Sequence, residues 1–451
     1  MAEPAEGILD RTLARLRRGW HEVAGRDRAS LADTLGPDLD ETGLDRLRAA
    51  IDDCLGARGG AVSALARAAD LGETYLKLAA DGRRRFVELL ANEYGTDDAA
   101  VDAAARLTLT SPDDAARAAA QGALAKALVP RRIALFRQLG ALPDGVKFLV
   151  DLRADLRSLG LDPARRRAVD ADLRGLLASW FDVGFLELRR ISWDSSAELL
   201  ERLIAYEAVH EIRSWSDLKN RLDSDRRCFA FFHPRMPAEP LIFVEVALVT
   251  GLADNIQHLL DEGAPAVEAD AADTAIFYSI SNAQSGLAGI SFGNFLIKRV
   301  VDLLRQEAPN LKTFATLSPI PGFRAWLDAA IESGEGVPDG IVPADNLPAM
   351  AGVLAHNWPG NPDQSKALRE PLTRLAAHYL LHVRNGERTD DPVAHFHLTN
   401  GARLERINFL ADTSSKGLEE SANMMVNYLY KLSDIEKNHE AYSEDGTVRK
   451  S

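Results

Sequence analysis

Ala275-Ile276-Phe277-Tyr278-Ser279-Ile280-Ser281 runs through Asn282-Ala283-Gln284-Ser285-Gly286-Leu287-Ala288-Gly289-Ile290-Ser291-Phe292-Gly293-Asn294 into Phe295-Leu296-Ile297-Lys298-Arg299-Val300-Val301-Asp302-Leu303-Leu304. A β-compatible run, a turn with three glycines and a helix with an apolar stripe at Leu296, Val300, Leu303 and Leu304 follow one another directly. Glycine permits positive φ and close approach of a ligand to the backbone. Amides at a helix start present partial positive charge, to which Lys298 and Arg299 add full charges. The spacing is neither a P-loop nor a dinucleotide fingerprint. Two readings stay open here: an anion site, or glycines that serve only a tight turn and close helix packing, which is the simpler of the two.

Outward from this unit the chain changes character. The first roughly 180 residues read as helical, with apolar residues at helical spacing in Leu13, Leu16 and Trp20 and again in Leu44, Leu47 and Ile51. Phe86 to Leu90 closes a similar amphipathic run. Ala115 to Leu128 is rich in the best helix former. Asp162-Pro163 reads as a helix start before Ala164 to Phe181. Arg165, Arg166 and Arg167 read as solvated surface, and His21 as incidental. After about residue 181, β-compatible runs alternate with helices: Cys228 to Phe232, Leu241 to Val249, Thr274 to Ser281, Thr313 to Leu317, Val393 to Thr399 and Leu404 to Leu410. Glu332 to Gly360 is rich in Gly, Pro and Asn and reads as loops. The expected class is α+β: a helical packing or oligomerisation domain over residues 1–180, then a mixed α/β domain over residues 181–451.

Bulk properties narrow the function. A chain of 451 residues exceeds one ordinary core. Its net charge of −14 does not suggest nonspecific binding to nucleic acid or to an anionic membrane. No apolar run is long enough to span a bilayer. The acidic Met-Ala-Glu-Pro-Ala-Glu opening lacks a signal-like apolar core, so a cytoplasmic location is expected. Cys54 and Cys228, far apart in sequence, read as two reduced thiols.

Two further segments carry chemistry. Phe314-Ala315-Thr316-Leu317-Ser318-Pro319-Ile320-Pro321-Gly322-Phe323 reads as a strand ending in a rigid turn, with Ser318 at the strand tip. No G-x-S-x-G surrounds that serine, which argues against an ordinary hydrolase nucleophile. Val393-Ala394-His395-Phe396-His397-Leu398-Thr399-Asn400-Gly401 reads as a strand with His395 and His397 on one face. A third metal ligand at short spacing is missing, so one histidine moving a proton while the other supports it is at least as economical as a metal site.

Phe277-Tyr278-Ser279-Ile280-Ser281, Gly286-Leu287-Ala288-Gly289, the helix from Phe295, Leu317-Ser318-Pro319-Ile320-Pro321-Gly322-Phe323, His395-Phe396-His397 with Asn400-Gly401, Arg406-Ile407-Asn408 and Met425-Val426-Asn427-Tyr428 together resemble the malonyl-CoA decarboxylase family. The resemblance implies a helical N-terminal domain and a catalytic domain of the acyl-CoA N-acyltransferase fold. It implies decarboxylation of malonyl-CoA to acetyl-CoA and carbon dioxide without a cofactor or metal, and homo-oligomers, commonly tetramers. Carried onto this sequence, the catalytic serine falls on Ser318 and the catalytic histidine on His397. Ala288, Gly289, Ile290, Ser291, Phe292, Gly293 and Asn294 fall on the CoA-binding loop. Tyr278, Gln284, Lys298, Arg299, His395 and Asn400 are the supporting candidates, and Arg403 or Arg406 a further source of charge for CoA. The competing readings are an acyl-CoA-dependent N-acyltransferase, a noncatalytic scaffold or acyl-CoA sensor, and a metal-dependent hydrolase built on His395 and His397.

Overall fold

The computed structural model describes Leu16, Gly19, Trp20, Val23, residues 30–56, 60–181, 183–266, 268–290, 296–337 and 340–342, Met350, Leu354 and residues 358–451. Among these residues the chain divides into two compact units. One holds the stretch up to Leu186 together with His233–Glu239 and the described part of Gln284–Phe292; the other holds Glu187–Phe232, Pro240–Ala283 and the described part of Gly293–Ser451.

The first unit is helical because its sequence combines strong helix formers with explicit starts. Asp40, Asp97, Asp113 and Asp162 each accept a backbone N–H at the head of the helices Glu41–Leu55, Asp98–Thr110, Asp114–Ala127 and Pro163–Trp180. Gly60–Lys77, Ala80–Glu93, Arg131–Gly140 and Gly145–Asp155 complete the bundle. Leu47, Ile51, Phe86, Leu90 and Leu135 are buried along its apolar stripes, as are Leu16 and Trp20. The Trp20 indole meets Phe148 edge-on at 4.9 Å and covers Gly72, where a Cβ would strike the ring. Leu13 and His21 lie outside the described residues.

The second unit is built on an eight-stranded sheet: β1 (Glu187–Ile191), β2 (Arg226–His233), β3 (Met236–Val249), β4 (Thr274–Asn282), β5 (Thr313–Thr316), β6 (Ser318–Pro319), β9 (Arg403–Asn408) and β10 (Met425–Leu429). A small hairpin, β7 (Arg384–Asn385) and β8 (Arg388–Thr389), stands apart from it. β3 and β4 run antiparallel, whereas β4 and β5 are parallel over Thr274–Phe277 against Thr313–Thr316. The crossover between that parallel pair contains the helix Leu296–Glu307. β10 is antiparallel to β9 on one edge and to β5 and β6 on the other. The chain is thus a helical N-terminal region followed by a mixed α/β domain. Among the described residues no helix is long and apolar enough to cross a membrane.

The segment Val393–Thr399, expected as a strand, is instead helical: Pro392–Thr399 is one helix. Asp391 accepts from the amides of Val393 and Ala394, Pro392 occupies the first turn, and Gly401 at φ 82° ends the element. Polar–apolar alternation over so short a run mimics a strand, and the Asp-Pro start decides otherwise. β1, β7, β8 and β10 were not anticipated as strands from the sequence.

Candidate active site

Ser318 begins β6, where Pro319 and Pro321 restrict the backbone on its C-terminal side. Alternation along the strand sends Ala315 and Leu317 into an apolar cluster with Ile276, Tyr278 and Met425 and leaves Thr316 and Ser318 on the opposite face. The Ser318 hydroxyl lies 3.1 Å from His397 Nε2 and 2.9 Å from Thr316 Oγ1. On its other side His397 Nδ1 lies 2.8 Å from the Tyr430 hydroxyl, and the Tyr428 ring stacks on the imidazole at 4.7 Å. Tyr430, His397, Ser318 and Thr316 therefore form one buried hydrogen-bonded chain. With Ser318 donating to Thr316, Oγ accepts from Nε2–H and Nδ1 accepts from the Tyr430 O–H.

Burial sets the charge of this chain. It pushes the His397 imidazole down to about 3, so the ring is neutral near pH 7. Burial drives the Tyr430 hydroxyl well above its ordinary range, so the phenol keeps its proton. A neutral imidazole between two hydroxyls holds one N–H and one lone pair and can take or give a proton at either nitrogen. Replacing Tyr430 with Phe removes only the partner of Nδ1. The expected result is a fall in kcat of about 3- to 10-fold, the worth of one hydrogen bond, with about 1–3 kcal/mol of stability lost because Nδ1 is left buried without its partner. An unaltered kcat would mean that this contact does not orient the ring.

A polar node stands behind the dyad. Asn427 is fully buried, donates to Thr316 O at 2.7 Å and Ala253 O at 3.0 Å, and accepts from Arg406 Nε and Asn408 Nδ2. Arg406 also donates to the carbonyls of Leu252 and Ala253, so its guanidinium braces the sheet. Arg403 pairs with Glu405 at 2.7 Å.

His395 and His397 are two residues apart on a helix, hence about 200° apart around its axis, and do not share a face. His395 Nδ1 meets the Tyr442 hydroxyl at 2.9 Å. Asn400 caps the same helix through a 2.8 Å bond to Phe396 O. Tyr278 packs in the apolar cluster on the face opposite Ser318. Lys298 pairs with Glu436 at 3.2 Å, and the Arg299 guanidinium lies 5.5 Å from the centre of the Phe231 ring. Among the described residues no three His, Cys, Asp or Glu side chains gather closely enough to hold a metal ion. Thr316 and Tyr430 were not singled out from the sequence. The signal for both was a period of two, back from Ser318 and on from Tyr428.

The glycine turn separates into two cases within the first unit. A Cβ at Gly286 would run into the Val150 carbonyl oxygen, so that glycine serves close packing. Gly289 has φ 73°, a conformation glycine adopts freely. Arg153 donates to the carbonyls of Gly286 at 2.7 Å and Ala288 at 2.9 Å and holds the turn down. A methyl at Gly289 would lie 4.0 Å from the guanidinium carbon of Arg174. Gln284 is buried at the start of this segment, and Ile290 is buried at its described end. Ser291, Phe292, Gly293, Asn294 and Phe295 lie outside the described residues.

The sequence pattern of the malonyl-CoA decarboxylase C-terminal domain matches residues 184–451, and that of the N-terminal domain residues 94–181. The mitochondrial malonyl-CoA decarboxylase of Anser anser anser is 38% identical over 405 residues, 83% of this chain and 80% of that protein. The mouse protein of the same name, from Mus musculus, is 38% identical over 397 residues, 82% of this chain and 81% of its own length. The crystal structure of the malonyl-CoA decarboxylase from Rhodopseudomonas palustris superposes with a TM-score of 0.85 at 43% identity, covering 90% of this chain and 98% of that one. That from Agrobacterium vitis gives 0.82 at 43% identity over 90% and 97% of the two chains. The chain belongs to the malonyl-CoA decarboxylase family.

Proposed function

We propose that this chain decarboxylates malonyl-CoA to acetyl-CoA and carbon dioxide, with Ser318 and His397 governing orientation and proton transfer. The observation that carries the reading is the 3.1 Å Ser318–His397 hydrogen bond within a buried chain of side chains, in a protein of this family. When the C–C bond to the carboxylate breaks, its electron pair passes to the thioester as an enolate, so the substrate is its own electron sink. One proton must then reach the α-carbon. In the free protein His397 is neutral because it is buried. A malonyl carboxylate placed beside it favours the imidazolium, since an opposite charge raises a base's pKa. The ring takes a proton as substrate binds and gives it up as negative charge moves from the carboxylate to the enolate. Ser318 orients the departing group and exchanges its proton with Nε2.

Three finer assignments accompany this reading. The second unit follows the acyl-CoA N-acyltransferase plan. In support, β4 runs on to Asn282 although its pairing with β5 ends at Phe277 and Thr316, and a helix follows in the crossover. The positive φ of Gly289, with Arg174 beside it, supports CoA phosphate binding at the turn from Ala288. Self-association through the helical region is supported by exposed apolar side chains on and beside the Asp98–Thr110 and Asp114–Ala127 helices, including Leu109 at 78% and Leu128 at 53%. Incubating the purified chain with malonyl-CoA alone tests the main reading. Equal release of acetyl-CoA and carbon dioxide is expected; free CoA without acetyl-CoA, or no reaction, overturns it.

A further inference from the structure

We infer that Asp391 is a positioning residue for this reaction: a single carboxylate fastens the turn that carries Ser318 to the helix that carries His397. The inference rests on the function proposed above. Asp391 is completely buried. Its Oδ1 accepts from the amides of Val393 at 3.0 Å and Ala394 at 2.8 Å, which caps the histidine helix. Its Oδ2 accepts from the amide of Gly322 at 3.3 Å, at the far end of the Ser318–Gly322 turn. The same turn is tied at its middle, where the Ile320 amide donates to Ser421 Oγ at 3.1 Å. Gly322 is pressed so close that a Cβ there would strike the Tyr379 hydroxyl.

Comparison with Asp162 separates the two jobs of such a residue. Asp162 also precedes a proline and accepts two amides through Oδ1, but those bonds are solvent-exposed and tie only its own helix. A cap of that kind needs one oxygen and no burial. Asp391 places a carboxylate out of water, where it persists only with its oxygens engaged. Burial pushes its carboxyl up to about 6, while the amides of Ala394, Gly322 and Val393 draw it back toward the charged form. The oxygen not needed for the cap reaches across to the serine turn, so both ends of the Ser318–His397 contact are referred to one rigid group.

The test is Asp391→Ser, because serine still caps a helix but is too short to reach Gly322 as well. A displacement of about 1 Å at a reacting group can cost on the order of 100-fold. We expect kcat to fall roughly 10- to 100-fold with the KM for malonyl-CoA within about twofold. In a Ser318→Ala background the same change should cost less than about twofold, because no serine–histidine alignment remains to be lost. A kcat within about twofold of the unsubstituted protein, a loss carried by KM, or an equal loss in both backgrounds overturns the assignment. Should the serine variant not fold, Asp391→Asn, which keeps the cap oxygen but turns an amide toward Gly322, is read by the same criteria. If the unsubstituted protein forms no acetyl-CoA, the function itself fails; an active Asp391→Ser protein beside an active parent sinks only the clamp.

Discussion

Purified Ser318→Ala and His397→Gln proteins will fold normally and lose most of their turnover of malonyl-CoA. A positioned proton-transfer group is worth about 10²- to 10⁴-fold, and either substitution interrupts the chain at its centre. Removing Ser318 leaves Thr316 Oγ1 with the Tyr428 amide as donor, so the strand keeps its order. Glutamine fills much of the imidazole's space and hydrogen-bonds, but cannot pass a proton between two atoms. Because the two residues act as a unit, the double variant should be little worse than the poorer single one. Rates of acetyl-CoA and carbon dioxide formation decide the matter. Turnover within about tenfold of the parent in either protein would remove that residue from the mechanism. The pH profile gives a second readout. The free-protein histidine is pushed down to about 3, so it is neutral throughout the range above that value. kcat/KM, which reports the free enzyme, should therefore show no inflection from His397 near the ordinary histidine value.

Arg221→Met should cost the second unit about 3–5 kcal/mol of stability, the usual result of removing one partner from a buried ion pair. The Arg221 side chain is 2% exposed and uses all its N–H donors: Asp217 Oδ1 and Oδ2 at 2.7 and 3.2 Å, Glu245 Oε2 at 3.1 Å, and the carbonyls of His210 and Glu211 at 2.8 and 3.0 Å. Glu245 is itself pushed up to about 8, by burial first and then by the negative charge of Glu207. Without the guanidinium, Asp217 and Glu245 are left to face each other out of water. Glu207 extends the network, accepting from Ser279 and Ser281 on β4. A drop in the thermal midpoint of roughly 10 °C is the corresponding observable. A shift of under about 2 °C would show that Glu245 neutralises by taking up a proton at little cost.

What the sequence disclosed depended on which local rule governed each segment. The helical first unit was legible because Asp caps, alanine-rich runs and apolar spacing agree along its length. Most of the sheet was legible from runs such as Leu241 to Val249, where burial on both faces leaves a stretch apolar at every position but Glu245. The histidine segment misled because alternation and capping conflict there. The Asp-Pro signal that reads as a helix start at Asp162-Pro163 stands again at Asp391-Pro392, and it prevails. Ser318 and the two histidines stood out as single residues, but the pairing of Ser318 with His397 came only through the resemblance, since a sequence separation of 79 hides a contact that folding creates. Tyr430 and Thr316 were hidden for another reason: a tyrosine in an apolar strand and a threonine before a leucine look like ordinary sheet residues until a histidine ring is placed among them.

β10 has neighbours on both edges along its length: β9 on one side, β5 and then β6 on the other. Its backbone amides, from Met425 to Leu429, lie between paired strands and not on an open edge of the sheet. The Tyr428 amide is further held by Thr316 Oγ1, and the Tyr430 amide by the Phe314 carbonyl at 2.8 Å. In deuterated solvent these amides should be among the last in the second unit to exchange, opening only when the sheet as a whole does. The strand that flanks the imidazole with Tyr428 and Tyr430 is then also among the slowest parts of the unit to breathe, and the pKa imposed by burial is defended against brief local openings that would let water reach the ring.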